Sequence, residues 1–548
     1  MIKKVLSAIL LAICFGCCIE AATQVLPSMK ADGDALQIIA DGKPVAGGWS
    51  INPALRPDVF ETSAGKVTFR SGIDSITFNV ERGGTYDFVV ITPKADSAFT
   101  RIRWVSANPL EEPSPELLKL PASGLLTKQQ ASFDIDALVY TISQVHPDMF
   151  ATCNQGKFLA EVEKVKRELP DSVGKVDLYR LVAPLVAELG DGHTSLYFPL
   201  NDVFRRDTPR MPLSVKAGHD FRIKASWCID SIIPQGAEIL YINGHSGKEM
   251  LEEMMKYESG ERDFYRLERA CNDFTAFFQL LYAAPDYEVA YRPAGSKKVL
   301  TAKLQPISYD ELKRHKPSKQ PTPQKPDYSF YILKKEKTAV MDFRSFNDTQ
   351  RMKAFADSMF HTLREENISN LIIDVRNNGG GNSTVGDTLL RYLSSRPFAQ
   401  MGKALVRVTP TTQRLVGSND IQPGWYLFNT EAEGKLISPL STKEGHYQGK
   451  VYLLTSHHTF SSASSFAWAF KQFGMGTVVG EESGGMNVSF GDVLFYRLPV
   501  SRLACAISYK RFWQYGAKED DIHGTLPDYS VPEEKALDAA MKLIRKAR

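Results

Sequence analysis

The C-terminal part of the chain alternates short apolar runs with amphipathic patterns, and this alternation constrains the fold more than any other feature. The runs TAVMDF, LIIDVR and KVYLLT begin at residues 338, 371 and 450. Each is followed by apolar residues at helical spacing, in MKAFADSMFHTL, STVGDTLLRYL and SASSFAWAFKQFG. A strand followed each time by a helix indicates a largely parallel sheet with helices packed against it. Functional sites of such sheets gather at the carboxyl ends of the strands, so we expect chemistry in the segments that follow these runs.

The rest of the chain divides into units of different character. Because domains commonly hold about 100 to 200 residues, a chain of 548 residues should contain several. We predict a signal peptide over 1–22, a β-rich accessory module over 23–110, a helical segment over 127–201, an insert over 202–307, a Pro/Lys-rich linker over 308–328 and an α/β core over 329–548. The insert contains GAEILYINGHS, whose strand, turn and helix order resembles the PDZ domain; an ordinary mixed α/β insert is the alternative.

The N-terminal sequence MIKKVLSAILLAICFGCCIEAA is typical of a secretory signal, since two lysines precede an apolar stretch too short to span a bilayer. We therefore expect an exported protein, periplasmic or extracellular. The FGCC sequence leaves open a lipid anchor at Cys17 or Cys18, the one expected link to a membrane. The later cysteines contain no CxxC pair, so neither a disulfide framework nor a zinc cluster is predicted. A net charge of +3 without a basic run argues against a nucleic-acid partner.

The segment TSHHTFSSASSF, residues 455–466, follows the run KVYLL and leads into a helical pattern. Ser461 lies at this strand-to-helix turn, where serine is a common helix cap. The alternative is a nucleophile, because free backbone N–H groups at a helix N-terminus stabilise an oxyanion formed beside it. His457 and His458 are adjacent and do not have the spacing of a metal pair, so we interpret both as loop residues.

Two further segments contain candidate groups for the same chemistry. In LIIDVRNNGGGNSTVGD, the glycines from Gly379 to Gly381 either form a tight turn or leave N–H groups open to a bound oxygen. Nucleotide binding is disfavoured, since the segment has neither GKS nor GKT and misses the GxGxxG spacing. In ELGDGHTSLYF, His193 follows a predicted helix; it is either a solvated loop residue or the base that activates a serine.

The motifs DGHTSL, LIIDVRNNGGG, TFSSASSFA and VVGEESGG occur in this order and together resemble the serine peptidase family of C-terminal processing (tail-specific) peptidases and the tricorn protease core. The resemblance implies a crotonase/Clp-like α/β catalytic core with a helical segment and an inserted PDZ-like domain. It also implies hydrolysis of polypeptides by acyl transfer, without a metal or organic cofactor. The backbone N–H groups of Gly380, Gly379 and Ser462 would then form the oxyanion hole.

The family has two catalytic branches, and the residues favour one. The processing branch uses a lysine in a GK motif, but GEESGGMN has Met486 at that position. The tricorn-like branch uses a histidine base, which implies Ser461 as nucleophile and His193 as base. An acid shortly before a G-x-x-PD segment orients the histidine, and in EDDIHGTLPD this position is Asp521. Glu519 and Asp520 are the alternative acids.

Three departures from the family pattern keep a second class of function open. The acid is usually glutamate, Ser464 stands where the family commonly has glutamate, and Gly192 stands where tricorn has a serine. The same fold also serves as a binding module, as in the interphotoreceptor retinoid-binding protein. A catalytically inactive peptide or ligand binder is therefore the alternative to a peptidase.

Overall fold

The computed structural model describes residues 113–315, 325–422, 424–518 and 521–547, together with the segments 37–44, 58–62, 66–71, 74–79, 84–91 and 101–106. The predicted signal peptide with Cys17 and Cys18, and the alternative acids Glu519 and Asp520, lie outside the described residues. The chain forms two compact units. The first contains Met1–Leu185, Met401–Lys435 and Val488–Gly516; the second contains Val186–Gln400, Leu436–Asn487 and Ala517–Arg548. The predicted core range 329–548 therefore contributes to both.

The N-terminal segments of the first unit are β-strands that pair antiparallel with one another. The strands are Gln37–Ala40, Lys43–Pro44, Asp58–Thr62, Lys66–Ser71, Asp74–Asn79, Gly84–Ile91 and Arg101–Ser106. They include the predicted strands KVTFR, SITFNV and YDFVVI. A separate accessory module over 23–110 stays a prediction.

Helices, a two-stranded antiparallel pair and a larger antiparallel sheet make up the rest of the described part of the first unit. The helices are Pro115–Leu118, Lys128–Val145, Gln155–Glu168, Lys175–Glu188, Pro410–Val416 and Thr430–Glu433. The chain passes into the second unit within Lys175–Glu188. The strands are Leu126–Thr127, Ser172–Val173, Met401–Val408, Gly424–Asn429, Val488–Arg497 and Ala504–Gln514.

Helix Lys128–Val145 begins in a capping box between Thr127 and Gln130. Its buried Asp134 accepts the backbone N–H groups of Val500 and Ser501 at 2.8 and 2.7 Å, which fixes the helix against the loop between two strands. The three helices predicted from FDIDALVYTISQV, KFLAEVEKVKREL and VDLYRLVAPLVAEL are confirmed.

The region 195–315 of the second unit, which includes the predicted insert 202–307, contains a mixed set of strands and helices. The strands are Ser195–Leu196, Leu213–Ala217, Ile223–Cys228, Glu238–Ile242, His245–Ser246, Tyr287–Arg292 and Leu300–Leu304, and the last six form one antiparallel sheet. The helices are Leu200–Val203, Ile229–Ser231 (3-10), Gly247–Met255, Asp263–Asn272, Phe274–Leu281 and Tyr309–His315. The last helix falls inside the predicted linker 308–328. It forms there because Ser308 Oγ accepts the Glu311 N–H at 3.2 Å, while acidic residues begin the helix and basic residues end it.

The sheet that carries the candidate site is also in the second unit and has six strands in chain order. They are β1 Tyr328–Leu333, β2 Thr338–Phe343, β3 Asn370–Asp374, β4 Lys450–Thr455, β5 Thr477–Gly480 and β6 Tyr529–Ser530. The α-helices are α1 Thr349–Glu365, α2 Ser383–Leu393, α3 Ser462–Gln472 and α4 Glu533–Lys546, with 3-10 turns at Lys334–Glu336 and Thr442–Glu444. Strands β2 to β6 run parallel and β1 antiparallel, so the predicted parallel arrangement is confirmed.

The central strands are apolar because helices cover the sheet. Val340, Ile372 and Leu454 pack with Ala536 and Ala540 of α4, all buried in one cluster. In the part of the chain that the structure describes, every helix is too short or too polar to cross a bilayer.

Candidate active site

The loops that follow β3 and β4 are joined by hydrogen bonds at the carboxyl edge of the sheet. Ser456 Oγ donates to the backbone oxygen of Arg376 at 2.6 Å, and Thr459 Oγ1 donates to that of Val375 at 2.9 Å. The N–H of Phe460 donates to the backbone oxygen of Asn378 at 3.1 Å. The hydroxyl groups of the sequence after β4 therefore attach the turn before α3 to the glycine loop.

Ser461 occupies the N-cap position of α3 but does not cap it. Asp348 and Asn382 cap α1 and α2 by accepting N–H groups of the first turn, as cap residues do. Ser461 makes no such bond, and its backbone has φ 53° and ψ −128°, a conformation that is costly for a residue with a Cβ. Its Oγ lies instead 3.0 Å from Nε2 of His193. Of the two interpretations of Ser461, the geometry excludes the helix cap.

His193 is held by its own turn and by an aromatic ring. Its N–H donates to Asp191 Oδ1 at 2.9 Å, and its imidazole stacks on Phe460 with ring centroids 4.5 Å apart. Phe460 stacks in turn on Tyr265 at 4.3 Å. The two predicted partners, 268 residues apart in sequence, thus meet in one unit with the imidazole plane fixed.

Gly192 allows this close packing. A Cβ added there would lie 2.7 Å from the Phe460 ring and 3.0 Å from Glu261 Oε2, inside normal contact distance. The site therefore has no room for a side chain at position 192. Sequence reasoning missed Phe460, Tyr265 and Glu261, because an aromatic residue next to a serine and residues of the insert carry no signal of contact with His193.

The three predicted oxyanion donors differ in availability. The N–H of Gly380 donates to Asn378 Oδ1 at 2.9 Å, so the prediction that it binds an oxyanion needs correction. A Cβ on Gly380 would approach the backbone of Phe460 and Ser462 to 2.8 Å, which gives this glycine a packing role. Within the described residues no hydrogen bond involves the Gly379 N–H, and the Ser462 N–H belongs to the first turn of α3, where amides have no acceptor within the helix. Gly379 and Ser462 remain as the candidate donors.

The structure does not bring Asp521 to the imidazole. Its Oδ2 accepts from Asn487 Nδ2 at 2.9 Å, its Oδ1 accepts the N–H of His523 at 2.9 Å, and no hydrogen bond or ion pair to His193 exists among the described residues. Asp521 is held away because these two donors already satisfy its carboxylate. Among the described residues, an acid that does lie beside the imidazole is Asp191, whose Oδ1 is 4.0 Å from His193 Nδ1. The DGH sequence offered a signal for it, because aspartate commonly accepts the N–H two residues later.

Family positions that differ in this chain are filled by neutral contacts. Ser464 Oγ is 2.7 Å from Ser483 Oγ and donates to the Gly485 backbone oxygen at 2.6 Å. Met486 forms an isolated β-bridge with Gly524. These contacts explain how the turn is stabilised without the glutamate or the lysine of related sequences.

Glu261 is a second acid beside the His193 turn. Both of its carboxylate oxygens are buried, and they approach the N–H groups of Gly192 and Glu261 itself without forming a well-directed hydrogen bond. Burial first, and then repulsion by Asp191, raises the pKa of Glu261 to about 8. Burial therefore favours the protonated form of the Glu261 carboxyl at neutral pH.

We expect Glu261→Gln to remove a pH-dependent loss of stability. Between the ordinary value of 4.5 and about 8, the folded protein keeps a proton that the unfolded chain releases, so stability falls as pH rises through this range. Each unit of the pKa difference corresponds to about 1.4 kcal/mol, which makes the effect several kcal/mol at most. The decrease in Tm from pH 5.5 to 8 should be smaller by several degrees in Glu261→Gln than in the wild type. The exposed Glu365→Gln on α1 is the matched control, and equal decreases in all three proteins would contradict the assignment.

A group of potential metal ligands lies next to the nucleophile turn. His219, His457 and Glu481 each present a ligand atom within 4.8 Å of the others. His457 and His458 lie in the turn between β4 and α3, as predicted, but sequence spacing could not show that His219 approaches them.

Comparison with known proteins agrees with this geometry. Residues 337–531 match the sequence model of peptidase family S41. Among solved structures, mature CPAF has a TM-score of 0.54 at 15% sequence identity, covering 76% of this chain and 97% of that chain. Mature CPAF complexed with lactacystin gives 0.52 at 14% identity, covering 77% and 97%. These structures show a shared fold, and residues 337–531, which include Ser461, are similar to the serine peptidases of family S41.

Proposed function

We propose that the chain is an exported serine endopeptidase, periplasmic or extracellular, that hydrolyses polypeptides by acyl transfer. The observation that carries this proposal is the 3.0 Å distance from Ser461 Oγ to His193 Nε2. A serine within hydrogen-bond reach of an imidazole has the geometry of an activated nucleophile. The lysines and short apolar stretch at the N-terminus support export.

In the proposed reaction Ser461 Oγ attacks the carbonyl carbon of the scissile peptide bond while His193 Nε2 accepts the hydroxyl proton. The imidazolium then gives this proton to the leaving amine, and the C–N bond breaks to leave an ester on Ser461. A water molecule attacks the ester in the second half, with His193 again as the base. The product acid leaves and the hydroxyl is restored.

The oxyanion of the tetrahedral intermediate would be bound by backbone N–H groups of Gly379 and Ser462. The N-terminus of α3 adds a favourable dipole at the same place. Losing one donor of this kind typically costs about 2.7 to 4 kcal/mol of barrier. This part of the proposal is supported by Ser462, which follows Ser461 in the chain, and by Gly380, which adjoins Gly379 and where an added Cβ would lie 2.8 Å from Ser461 Cβ.

Asp191 is proposed as the residue that positions the base. Its carboxylate is 2% exposed and lies 4.0 Å from His193 Nδ1, close enough to stabilise the imidazolium that forms during attack. Its bond to the His193 N–H also fixes the turn on which the base lies. Asp521 lacks such a contact.

The insert is proposed to act as a PDZ-like domain that receives the C-terminus of the substrate as an added strand. Its antiparallel sheet ends at Leu213–Ala217 and Leu300–Leu304, and an edge strand has backbone groups that pair with an extended peptide. We expect peptides with a free apolar C-terminus to be cleaved faster than the same peptides with a C-terminal amide. Equal rates for the two forms would contradict guidance by the C-terminus but not the peptidase reaction.

A fluorophosphonate probe tests the proposal directly, because it reacts with an activated serine hydroxyl. We expect one label per wild-type chain, located by peptide mapping at Ser461, and cleavage of an unfolded polypeptide by the same preparation. A folded protein that neither reacts nor cleaves would instead support the inactive binding module.

A further inference from the structure

The His219, His457 and Glu481 cluster is formed by three separate segments of the second unit. His219 lies in the turn between strands Leu213–Ala217 and Ile223–Cys228 of the insert. His457 lies in the nucleophile loop, and Glu481 follows β5 directly. Two imidazoles and one carboxylate are a donor set typical of Zn²⁺ and neighbouring divalent transition metals.

His457 has the features of a metal ligand. Its Nδ1 is buried, has no hydrogen-bond partner among the described residues, and lies 3.8 Å from Glu481 Oε2. A buried polar atom without a partner is unusual in a folded protein. Phe264 stacks on the ring at 4.3 Å and fixes its plane.

Glu268 gives His219 the second contact that metal-binding histidines commonly have. Its Oε2 is hydrogen-bonded to His219 Nε2, and its Oε1 accepts from Asn272 Nδ2 at 2.7 Å. Carboxylates that hold the far nitrogen of a histidine orient the ring and increase its basicity. Glu268 also lies 3.5 Å from His458 Nδ1, which places a further negative charge beside the cluster.

We propose that His219, His457 and Glu481 bind one divalent transition metal ion, for which Zn²⁺ is the test ion. Ligand atoms about 2.0 to 2.2 Å from a tetrahedral ion are roughly 3.3 Å apart, so side chains now up to 4.8 Å apart must close slightly on the ion. The fourth position is left to water.

The bound ion would fasten the insert to the nucleophile loop. His457 precedes Ser461 by four positions, whereas His219 belongs to the first hairpin of the insert. The ion has no chemical part in the proposed acyl transfer, whose groups are Ser461, His193, Asp191 and backbone N–H groups. Its expected effect is to stabilise the loop, and binding is measurable whether or not the chain is an active peptidase.

The test is a calorimetric titration of Zn²⁺ into full-length protein freed of metal with a chelator. We expect one ion per wild-type chain and a higher Tm in its presence. His219→Ala and Glu481→Gln should weaken binding at least about 10-fold, and Glu268→Gln about 10-fold or more, the loss typical of an outer partner. His361→Ala, an exposed histidine on α1, should bind as the wild type does.

Zn²⁺ binding that is absent in the wild type, or equally tight in wild type, His219→Ala and Glu481→Gln, would overturn the proposal. The Tm of each metal-free variant shows whether it is folded. Co²⁺ bound to the wild type gives a separate measurement that needs no variant. If Co²⁺ binds to the two imidazoles and the carboxylate, the protein should absorb intensely in the visible range. A spectrum as weak as that of hexaaqua Co²⁺ would reject the site.

Discussion

Replacing Ser461 by alanine is expected to abolish peptide-bond cleavage and to leave the fold intact. The hydroxyl is the proposed nucleophile, and it makes no capping bond whose loss would destabilise α3. Removing a serine nucleophile or its histidine lowers kcat by about 10⁶ in a well-studied serine peptidase, and removing both costs little more. We therefore expect Ser461→Ala, His193→Ala and the double variant to be equally inactive on an unfolded polypeptide. The Tm of Ser461→Ala should match the wild type, because alanine has a Cβ and keeps the same backbone strain.

The matched control is Ser465→Ala, one turn further along α3. Its hydroxyl is 3.4 Å from the Ser461 backbone oxygen and has no part in the proposed reaction. This variant should keep most of the wild-type turnover and still react with the fluorophosphonate. Turnover by Ser461→Ala at more than a few per cent of wild type, in protein free of contaminating peptidase, would reject the nucleophile.

The second large effect is expected from Asp191→Asn, compared directly with Asp521→Asn. The Asp191 carboxylate is the charge beside His193 Nδ1, so its neutral isostere should lower kcat/KM by about 10² to 10⁴ and change the pH profile of the reaction. Asp521 bonds Asn487 and the His523 N–H instead, so Asp521→Asn should lower kcat/KM less than about 10-fold.

The two variants control each other, since each replaces one carboxylate by an amide of the same size. Circular dichroism and Tm must show that both are folded, because Asp191 also holds the backbone of the His193 turn. A reversed ranking, with Asp521→Asn the slower enzyme and the one with the altered pH profile, would return the orienting role to Asp521.

The elements of the α/β sheet and the central pair of the site could be predicted because each has a local signal. The apolar runs of β2, β3 and β4 are long, buried and followed by helical spacing, so periodicity identified them. Ser461 and His193 each follow a predicted strand or helix, and a reactive polar side chain at such a position is easily recognised in a sequence. The contact between them could be predicted only from the combination of family motifs, since sequence spacing alone does not show that residues 268 positions apart are close.

The remaining parts of the site depend on side-chain partners that no local pattern reveals. Asp521 has the expected position in its motif, yet Asn487 holds its carboxylate. Gly380 has the expected flexibility, yet the Asn378 side chain accepts its N–H. The insert supplies Tyr265, which packs behind Phe460, through contacts distant in sequence. The antiparallel sheet containing Val488–Arg497 and Ala504–Gln514 was also missed, because each strand interrupts a region whose other strands are parallel.

The stacking of Phe460 on the imidazole makes positions 192 and 460 interdependent. The aromatic ring occupies the volume that a side chain at 192 would need, so Phe460 in this position requires glycine at 192. Introducing a serine at position 192 would require a smaller residue at 460. That change would remove the ring that stacks on the imidazole and restricts its rotation. The orientation of the base thus depends on how closely these two positions pack.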